Sequence, residues 1–400
     1  MIVVRWLVAV ALLAAAFAGG AYYQSTQKNH SAINAALLAS QDESAWWAHF
    51  IASLDRAGKI VDEATAAGPE IDRLEGYRLI TRMAGLGFDR FLEAANPAQP
   101  DFFRLQSPTR KFAGDSPEQL YHSANLSADY SYRITGQLFS GDVETLLIEA
   151  SVYGGDMSFE GGSRRLVSFI DESTLVSDEQ GYFEITLSKE PAQGNWLKLE
   201  DDVKNVLVRR YFKTPQENDL LPLTIERIDG NVVPAPLQRQ HVLKGMLGTA
   251  AFVEETVRFW YGWVEQARAN YGVNTLMPLV DNGDLLTPSG VRYMEGYWEL
   301  APSEALRITF TPPEVPYWTF VPMNIWMESF EWREIPASKN NFMAEQNPDG
   351  TVTLVLSAQD PEVPNWISTQ GHTRGLMALR FARMGEQALP VVKTDVYTLP

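Results

Sequence analysis

From Trp6 to Tyr23 every position is apolar or small (WLVAVALLAAAFAGGAYY), with Arg5 ahead of the run and no further charge until Lys28. The run is long for the core of a signal peptide and close to the about 20 residues that a bilayer span needs, so an uncleaved membrane anchor and a cleaved export signal both fit. Small residues at Ala16 and Ala18, and again at Gly19 and Ala21, suit a signal peptidase, whereas Tyr22 and Tyr23 suit the interfacial end of a span. Either way Arg5 and the amino terminus hold the positive charge on the near flank, which sends the rest of the chain to the exported side. The expected location is the cell envelope, tethered through residues 6–23 or released into the periplasm.

Beyond this run the period lengthens to that of helices. Residues 43–67 carry Trp47, Ile51, Leu54, Ala57 and Val61 at three- and four-residue steps, and 70–94 carry Leu74, Tyr77, Ile80, Ala84, Phe88 and Phe91. Gly68 and Pro69 separate the two, which predicts a helical hairpin. A polar, Pro-rich passage follows, in which Asp115 and Glu118 have the spacing of a helix-start cap. From about Tyr130 the period falls to two: Tyr132, Ile134 and Leu138; Phe183, Ile185 and Leu187; Val206, Val208 and Phe212. Residues 237–271 return to a four-residue rhythm through Val242, Met246, Ala250, Val253, Val257, Tyr261 and Val264, predicting one long helix. A second β-rich region comes after it, with strands predicted at 291–300, 306–311, 317–320, 325–332, 352–356 and 377–381.

This pattern divides the chain into 1–24, the signal peptide or anchor; 25–129, a helical hairpin and loop region; 130–236, a first β-rich region; and 237–400, the long helix with a C-terminal β-sandwich. The fold class is α+β, mainly antiparallel β, with packed helices and an N-terminal hydrophobic helix, because the strands alternate instead of running continuously apolar. No internal repeat of fixed period is visible.

Composition narrows the chemistry more than the architecture. With 33 basic and 50 acidic side chains the formal charge is −17, which repels phosphate polyanions and excludes nucleic acid as a partner. Zero Cys removes disulfides, thiolate catalysis and Cys-based metal sites. The His residues at 30, 49, 122, 241 and 372 show no metal-pair spacing, and neither a G-x-S-x-G elbow, a P-loop nor a G-x-G-x-x-G is present, so no metal site and no cofactor is expected. Catalysis, if the chain has any, falls to carboxylates and His122 or His372. The densest segment is the last quarter, where Trp318, Trp326, Trp332 and Trp366 accompany Glu328, Glu331, Asp360, Asn365, Thr369, His372 and Arg380. Ring faces beside amides and charges can hold a sugar or an amphipathic small molecule, and the same rings can equally be core. Period-two alternation over 325–332 would put Glu328 and Glu331 on opposite faces, which weakens a two-carboxylate glycosidase.

The segments DPEVPNWISTQGHTRGLMALRF, YWTFVPMNIWMESFEW, NPDGTVTLVLS and FAGDSPEQLYHSANLSADYSYRITG resemble the bacterial family catalogued as domain of unknown function 1214. The matching positions are Asp360, Pro361, Asn365, Trp366, Thr369, Gly371, Gly375 and Arg380, while Glu362 and Ser368 stand where members usually carry Gly and Asp. The resemblance implies a jelly-roll-like β-sandwich in the C-terminal half, sometimes beside a second β-rich domain, and no settled activity. Three readings follow. The first is a binding module that holds a carbohydrate or amphipathic molecule through Trp318, Trp326, Asn365, Trp366, Thr369 and Arg380. The second is a hydrolase or lyase acting on such a ligand with Asp360 or Glu331 as base or acid, His372 as proton shuttle and Arg380 on an anionic group. The third is a structural interaction domain.

Overall fold

Asp42 opens the first helix by accepting a hydrogen bond from the backbone N–H of Ser44 at 3.0 Å, the side-chain cap that an exposed helix start requires. In the computed structural model, which describes residues 36, 37, 39, 42–155, 163–215, 220–230, 236–279 and 290–399, this helix α1 spans Glu43–Thr65. Helix α2 spans Glu70–Phe88 and runs on into a π-helical turn over Asp89–Glu93. The long helix α3 spans Arg239–Tyr271. The Trp6–Tyr23 run and His30 lie outside the described residues. Among the described residues no helix is long and apolar enough to cross a membrane.

The three helices form where the periodicity places them, and α1 and α2 bury the later part of the predicted stripes, Ala57, Val61 and Ile80, but not the earlier part. Helix α1 buries Trp46, Phe50, Ala57 and Val61, leaving Trp47 and Ile51 outside. Its inner face meets α3, where Arg56 pairs with Glu254 at 2.8 Å, and Phe50 packs on Phe88. Helix α2 buries Leu79, Ile80, Met83 and Leu86 together with Gly76 and Gly87, and exposes Leu74 and Tyr77. The glycines decide its phase. A Cβ on Gly76 would lie 2.6 Å from Val61 and 2.7 Å from the Trp326 ring, and one on Gly87 would lie 2.6 Å from the Thr249 methyl. Only a hydrogen at these positions lets the elements approach so closely.

The strands, in chain order, are β1 (Phe103–Arg104), β2 (Gln119–Asn125), β3 (Tyr132–Gln137), β4 (Phe139–Ser140), β5 (Val143–Glu144), β6 (Leu147–Gly154), β7 (Arg165–Asp171), β8 (Tyr182–Ser188), β9 (Trp196–Lys198), β10 (Val203–Tyr211) and β11 (Leu223–Arg227). After α3 come β12 (Met277–Pro278), β13 (Val291–Glu299), β14 (Glu304–Phe310), β15 (Tyr317–Pro322), β16 (Lys339–Asn340), β17 (Val352–Ser357), β18 (Trp366–Ser368), β19 (Arg374–Ala382) and β20 (Lys393–Thr398). The class is α+β with mostly antiparallel sheet. In the first half a five-stranded sheet, β1-β2-β10-β6-β7, packs on a four-stranded one, β11-β3-β8-β9, around Ile134, Val152, Phe183, Leu197 and Val206. In the second half β12-β13-β19-β15-β16 packs on β18-β17-β14-β20 around Trp298, Leu306, Phe320, Leu354 and Phe381.

The two halves share one topology. Leaving aside the small β4–β5 hairpin, the strands of the first half map in chain order onto β12 to β20, and each strand keeps the same neighbours. Each half has one parallel pair, β8 with β9 and β17 with β18, and the second strand of each pair starts at an Asn-Trp step. Trp196 Nε1 donates to Ser188 Oγ at 3.0 Å and Trp366 Nε1 donates to Ser357 Oγ at 3.1 Å. Asn195 clips the backbone of Val176 and Glu184, as Asn365 clips that of Glu345 and Thr353. The sequence conceals this duplication because loops of unequal length and changed side chains erase any fixed period, while backbone pairing preserves the strand order.

Three expectations change here. Residues 115–125, read as a helix start and loop, form a turn and strand β2, so the first sandwich begins before Tyr130. Residues 325–332 form a buried turn instead of a strand: the Asn324 side chain accepts from the backbone N–H of Trp326 and Glu328, and Met327 takes φ +57°. The five-stranded sheets, finally, are covered on both faces, since every residue of β6 and β15 is buried.

Asn365 sits at φ +58° and makes hydrogen bonds of 2.8, 2.8 and 3.1 Å to Glu345 and Thr353. Replacing it with Ala strands these backbone groups, and urea denaturation of N365A should show a loss of about 1–3 kcal/mol. N195A should lose less, because Asn195 is partly open to water that can substitute for the lost amide.

Candidate functional site

Strand alternation sends two sets of side chains in opposite directions from each five-stranded sheet. Val206 and Val208 enter the first core, so Leu207, Arg209 and Tyr211 face outward; Leu379 and Phe381 enter the second, so Arg380 and Ala382 face outward. The outward faces meet each other and α3. Tyr211 and Tyr317 touch edge to face across this seam at 5.4 Å, and Arg383 bridges to Glu172 at 2.7 Å. Trp260 and Val264 of α3 pack on Tyr297, Val321 and Leu376.

Between these elements lies a cavity of about 190 Å³. Tyr121, Ser123, Leu207 and Arg209 line it from the first sandwich, Tyr293, Glu295 and Arg380 from the second, and Phe252, Trp260 and Trp263 from α3. Arg90 and Arg164 add to its charged lining, which among the described residues holds four guanidinium groups and one carboxylate. Arg209 is satisfied, donating to Glu149 at 2.7 Å and to the Tyr153 hydroxyl at 3.2 Å. Arg164 stacks on the Tyr153 ring at 4.0 Å. Arg90 lies over the Phe91 ring at 4.9 Å, and burial together with the Arg164 charge lowers its pKa to about 10. Arg380, only 6% exposed, donates one bond to Gly114 O at 2.6 Å, and its Nε has no partner. Burial raises the pKa of Glu295 despite the bond that it accepts from Trp263 Nε1 at 3.0 Å and the Arg380 charge. The site is therefore cationic and rich in ring faces.

Of the residues nominated from sequence, Arg380 alone lines this cavity. Trp318 and Trp326 are 3% and 0% exposed, one in the second core and the other wedged against α2, so neither offers a face to a ligand. Asn365 and Trp366 clamp the β17–β18 pairing, and Thr369 is buried. Asp360 caps an exposed turn by accepting from the N–H of Glu362, and Arg333 holds the surface Glu331 carboxyl at about 2. His372 is buried, stacked on Phe330 at 4.6 Å, with its ring nitrogens 2.8 Å from the Thr369 carbonyl and from Glu75. Among the described residues neither Asp360 nor Glu331 bonds to His372, and Trp318 and Trp326 of the expected aromatic platform are core. The cavity residues Arg90, Arg164, Arg209, Tyr293 and Glu295 carry no sequence motif of their own. A usable signal was present in the runs VLVRRYF and LMALRFA, where an arginine interrupts an otherwise apolar strand at Arg209 and again at Arg380.

His372 belongs to a second polar cluster, where α2 meets the C-terminal sandwich. Its Nε2 lies 2.8 Å from Glu75 Oε2, and Asn324 Nδ2 donates to Glu75 at 2.6 Å and to Glu328 at 3.0 Å. Glu328 pairs with Arg82, Asp72 pairs with Arg374 at 2.8 Å, and Trp326 Nε1 donates to the Asp72 carbonyl at 2.7 Å. Burial pushes Glu328 up to about 7 against the Arg82 charge. Burial, the largest single effect, would lower His372 and raise Glu75, but their mutual hydrogen bond and charge, with the Thr369 carbonyl at His372 and the Asn324 bond to Glu75, together outweigh it and leave His372 raised and Glu75 lowered. This cluster is a clamp between layers.

Two duplicated sandwiches that enclose a cationic, ring-lined cavity define a two-lobed β-sandwich protein with an internal site. Residues 298–383 match the family described as "Protein of unknown function (DUF1214)", and the chain belongs to that family through this C-terminal part. The crystal structure of an uncharacterized protein from Burkholderia cenocepacia is similar at 30% identity and TM-score 0.82, covering 92% of this chain and 99% of that one. A crystal structure of a protein from Vibrio parahaemolyticus aligns at 12% identity and TM-score 0.43, over 86% of this chain and 100% of that one. No curated protein matches the chain.

The clamp predicts a pH dependence of stability. Raised folded-state pKa values make the contributions of Glu328 and His372 complete below their ordinary 4.5 and 6.5 and diminishing as pH climbs through about 7 for Glu328 and through the raised value for His372. The lowered Glu75 works oppositely, losing its contribution only as pH falls below the ordinary 4.5. Urea unfolding at pH 5 and pH 8 should therefore show lower stability at pH 8, and E328Q should reduce that difference by up to about 3 kcal/mol. An unchanged difference would remove Glu328 as its source.

Proposed function

We propose that the protein binds a small amphipathic molecule in the cavity between its two sandwiches. One observation carries this reading: a buried arginine with an unpartnered Nε faces a space walled by tyrosine and tryptophan. Among the described residues Arg380 makes no ion pair and feels the carboxylates of Asp115 and Glu295 only through their fields; an unpaired buried cation is costly in the empty protein, and a ligand supplies what the fold withholds. A cavity of 190 Å³ is also somewhat larger than the apolar cavities of about 150 Å³ that admit benzene.

Of the two ligand classes open from the sequence, the lining favours the amphipathic one. A sugar needs acceptors as often as donors, whereas the charged lining here is four guanidiniums against one carboxylate. Binding without turnover is preferred to an enzyme because His372 is committed to Glu75 and Phe330. The jelly-roll-like description of each half is supported by the chain's repeated passage between its two sheets, at β2 to β3, β3 to β6, β7 to β8 and β9 to β10. The apolar run over 6–23 supports placing this binding protein in the cell envelope.

The test is thermal-shift screening of the full chain against amphipathic small molecules, followed by L207W, which fills the cavity with an indole. A true ligand at a hundredfold excess over its Kd stabilises the folded state by about 2.7 kcal/mol, and its shift should vanish in L207W. Hits that persist in L207W bind elsewhere and overturn the assignment.

A further inference from the structure

Resting on the cavity reading above, we infer that the ligand carries a single carboxylate on a ring-bearing body, and that this carboxylate takes at Arg380 the place that Glu149 occupies at Arg209. The duplicated topology puts β2, β10 and β6 of the first half in correspondence with β13, β19 and β15 of the second. The register then pairs the cavity residues one for one. Arg209 stands between Tyr121 on β2 and Glu149 on β6, and Arg380 stands between Tyr293 on β13 and Thr319 on β15. Tyrosine and arginine recur; the third member does not.

In the first half Glu149 neutralises its cross-strand arginine at 2.7 Å. In the second half Thr319 has no charge to give, and its hydroxyl lies 3.5 Å from Glu118. Among the described residues no carboxylate lies within ion-pair distance of Arg380. Asp115 reaches it only through its field, since the Asp115 oxygens accept from the N–H and hydroxyl of Ser329 at 2.9 and 2.6 Å. The guanidinium fork is complementary to a planar carboxylate. Of the two arginines that the register makes equivalent, Arg209 is already matched, so Arg380 is the one that calls for a guest carboxylate. Arg90 and Arg164, held against aromatic rings, add positive field that draws an anion inward. Trp260, Trp263 and Phe252 provide faces for the uncharged remainder, and 190 Å³ limits it to about one ring with a short substituent.

Three probes separate charge from body: benzoate has both, acetate only the charge, benzyl alcohol only the ring. Calorimetric titration of the full chain should show benzoate binding at least tenfold tighter than either partial probe. R380Q should weaken benzoate at least tenfold while leaving benzyl alcohol unchanged. Thr319→Glu, which rebuilds the Glu149 arrangement opposite Arg380, should raise the melting temperature of the free protein and abolish benzoate binding. If either variant fails to fold, the wild-type ranking of benzoate against benzyl alcohol, and the loss of that difference at high salt, decides the matter. Benzyl alcohol binding as tightly as benzoate, or benzoate indifferent to R380Q, overturns the carboxylate anchor and leaves the cavity reading standing. Wild-type protein that responds to none of the three probes overturns both.

Discussion

A β-sheet covered on both faces has no water with which to satisfy the polar side chains it carries, and each of them needs a partner from the protein or from a guest. The five-stranded sheets of this protein are built that way. Their inner faces form two ordinary apolar cores, and their outer faces are pressed against each other and against α3. Arg209, Arg380, Glu149 and Glu295 project from those outer faces while 2–6% exposed. Arg209 finds Glu149 and Tyr153, and Glu295 finds the Trp263 indole. Arg380 is left incomplete, and the cavity lies where that incompleteness is.

Duplication explains how such a site can arise without a recognisable catalytic motif. Two copies of one sandwich, placed with their five-stranded sheets facing, bring equivalent residues of both copies to the same seam. The scaffold was retained where it is structural. The Asn-Trp clamp persists in both halves with nearly the same hydrogen bonds, at Asn195 and Trp196 and again at Asn365 and Trp366. The outward-facing residues have diverged in part, since Tyr and Arg recur while Glu149 in one half corresponds to Thr319 in the other. Symmetric architecture with asymmetric charge suits a site for one unsymmetrical guest better than a site for two identical ones.

The segment that carries the family match also depends on residues outside it. Asn324, Glu328, His372 and Arg374 all lie within 298–383, yet their partners Glu75, Arg82 and Asp72 come from α2. The clamp fixes the C-terminal sandwich to the helical layer, and Gly76 lets α2 come close enough for the Trp326 indole to reach the Asp72 carbonyl. Resemblance concentrated in this segment therefore records the maintenance of an interlayer contact as much as the maintenance of a binding surface.

Local pattern was enough to determine the helices, most of the strands and the mixed α and β class. Period and turn chemistry are properties of neighbouring residues and survive without knowledge of the fold. Three things were decided only in three dimensions. The phase of α1 and α2 depended on which glycines met which side chains, since Trp46 and Trp47 fit adjacent stripes equally well. The fate of the tryptophans depended on what covered them, because an indole in a strand reads the same whether it faces solvent or α2. The cavity depended on a correspondence between Tyr121 with Arg209 and Tyr293 with Arg380, pairs whose members lie more than eighty residues apart and are joined only by cross-strand register. A sequence records each of these residues singly; the pairing of strands and the facing of two sheets make them one site.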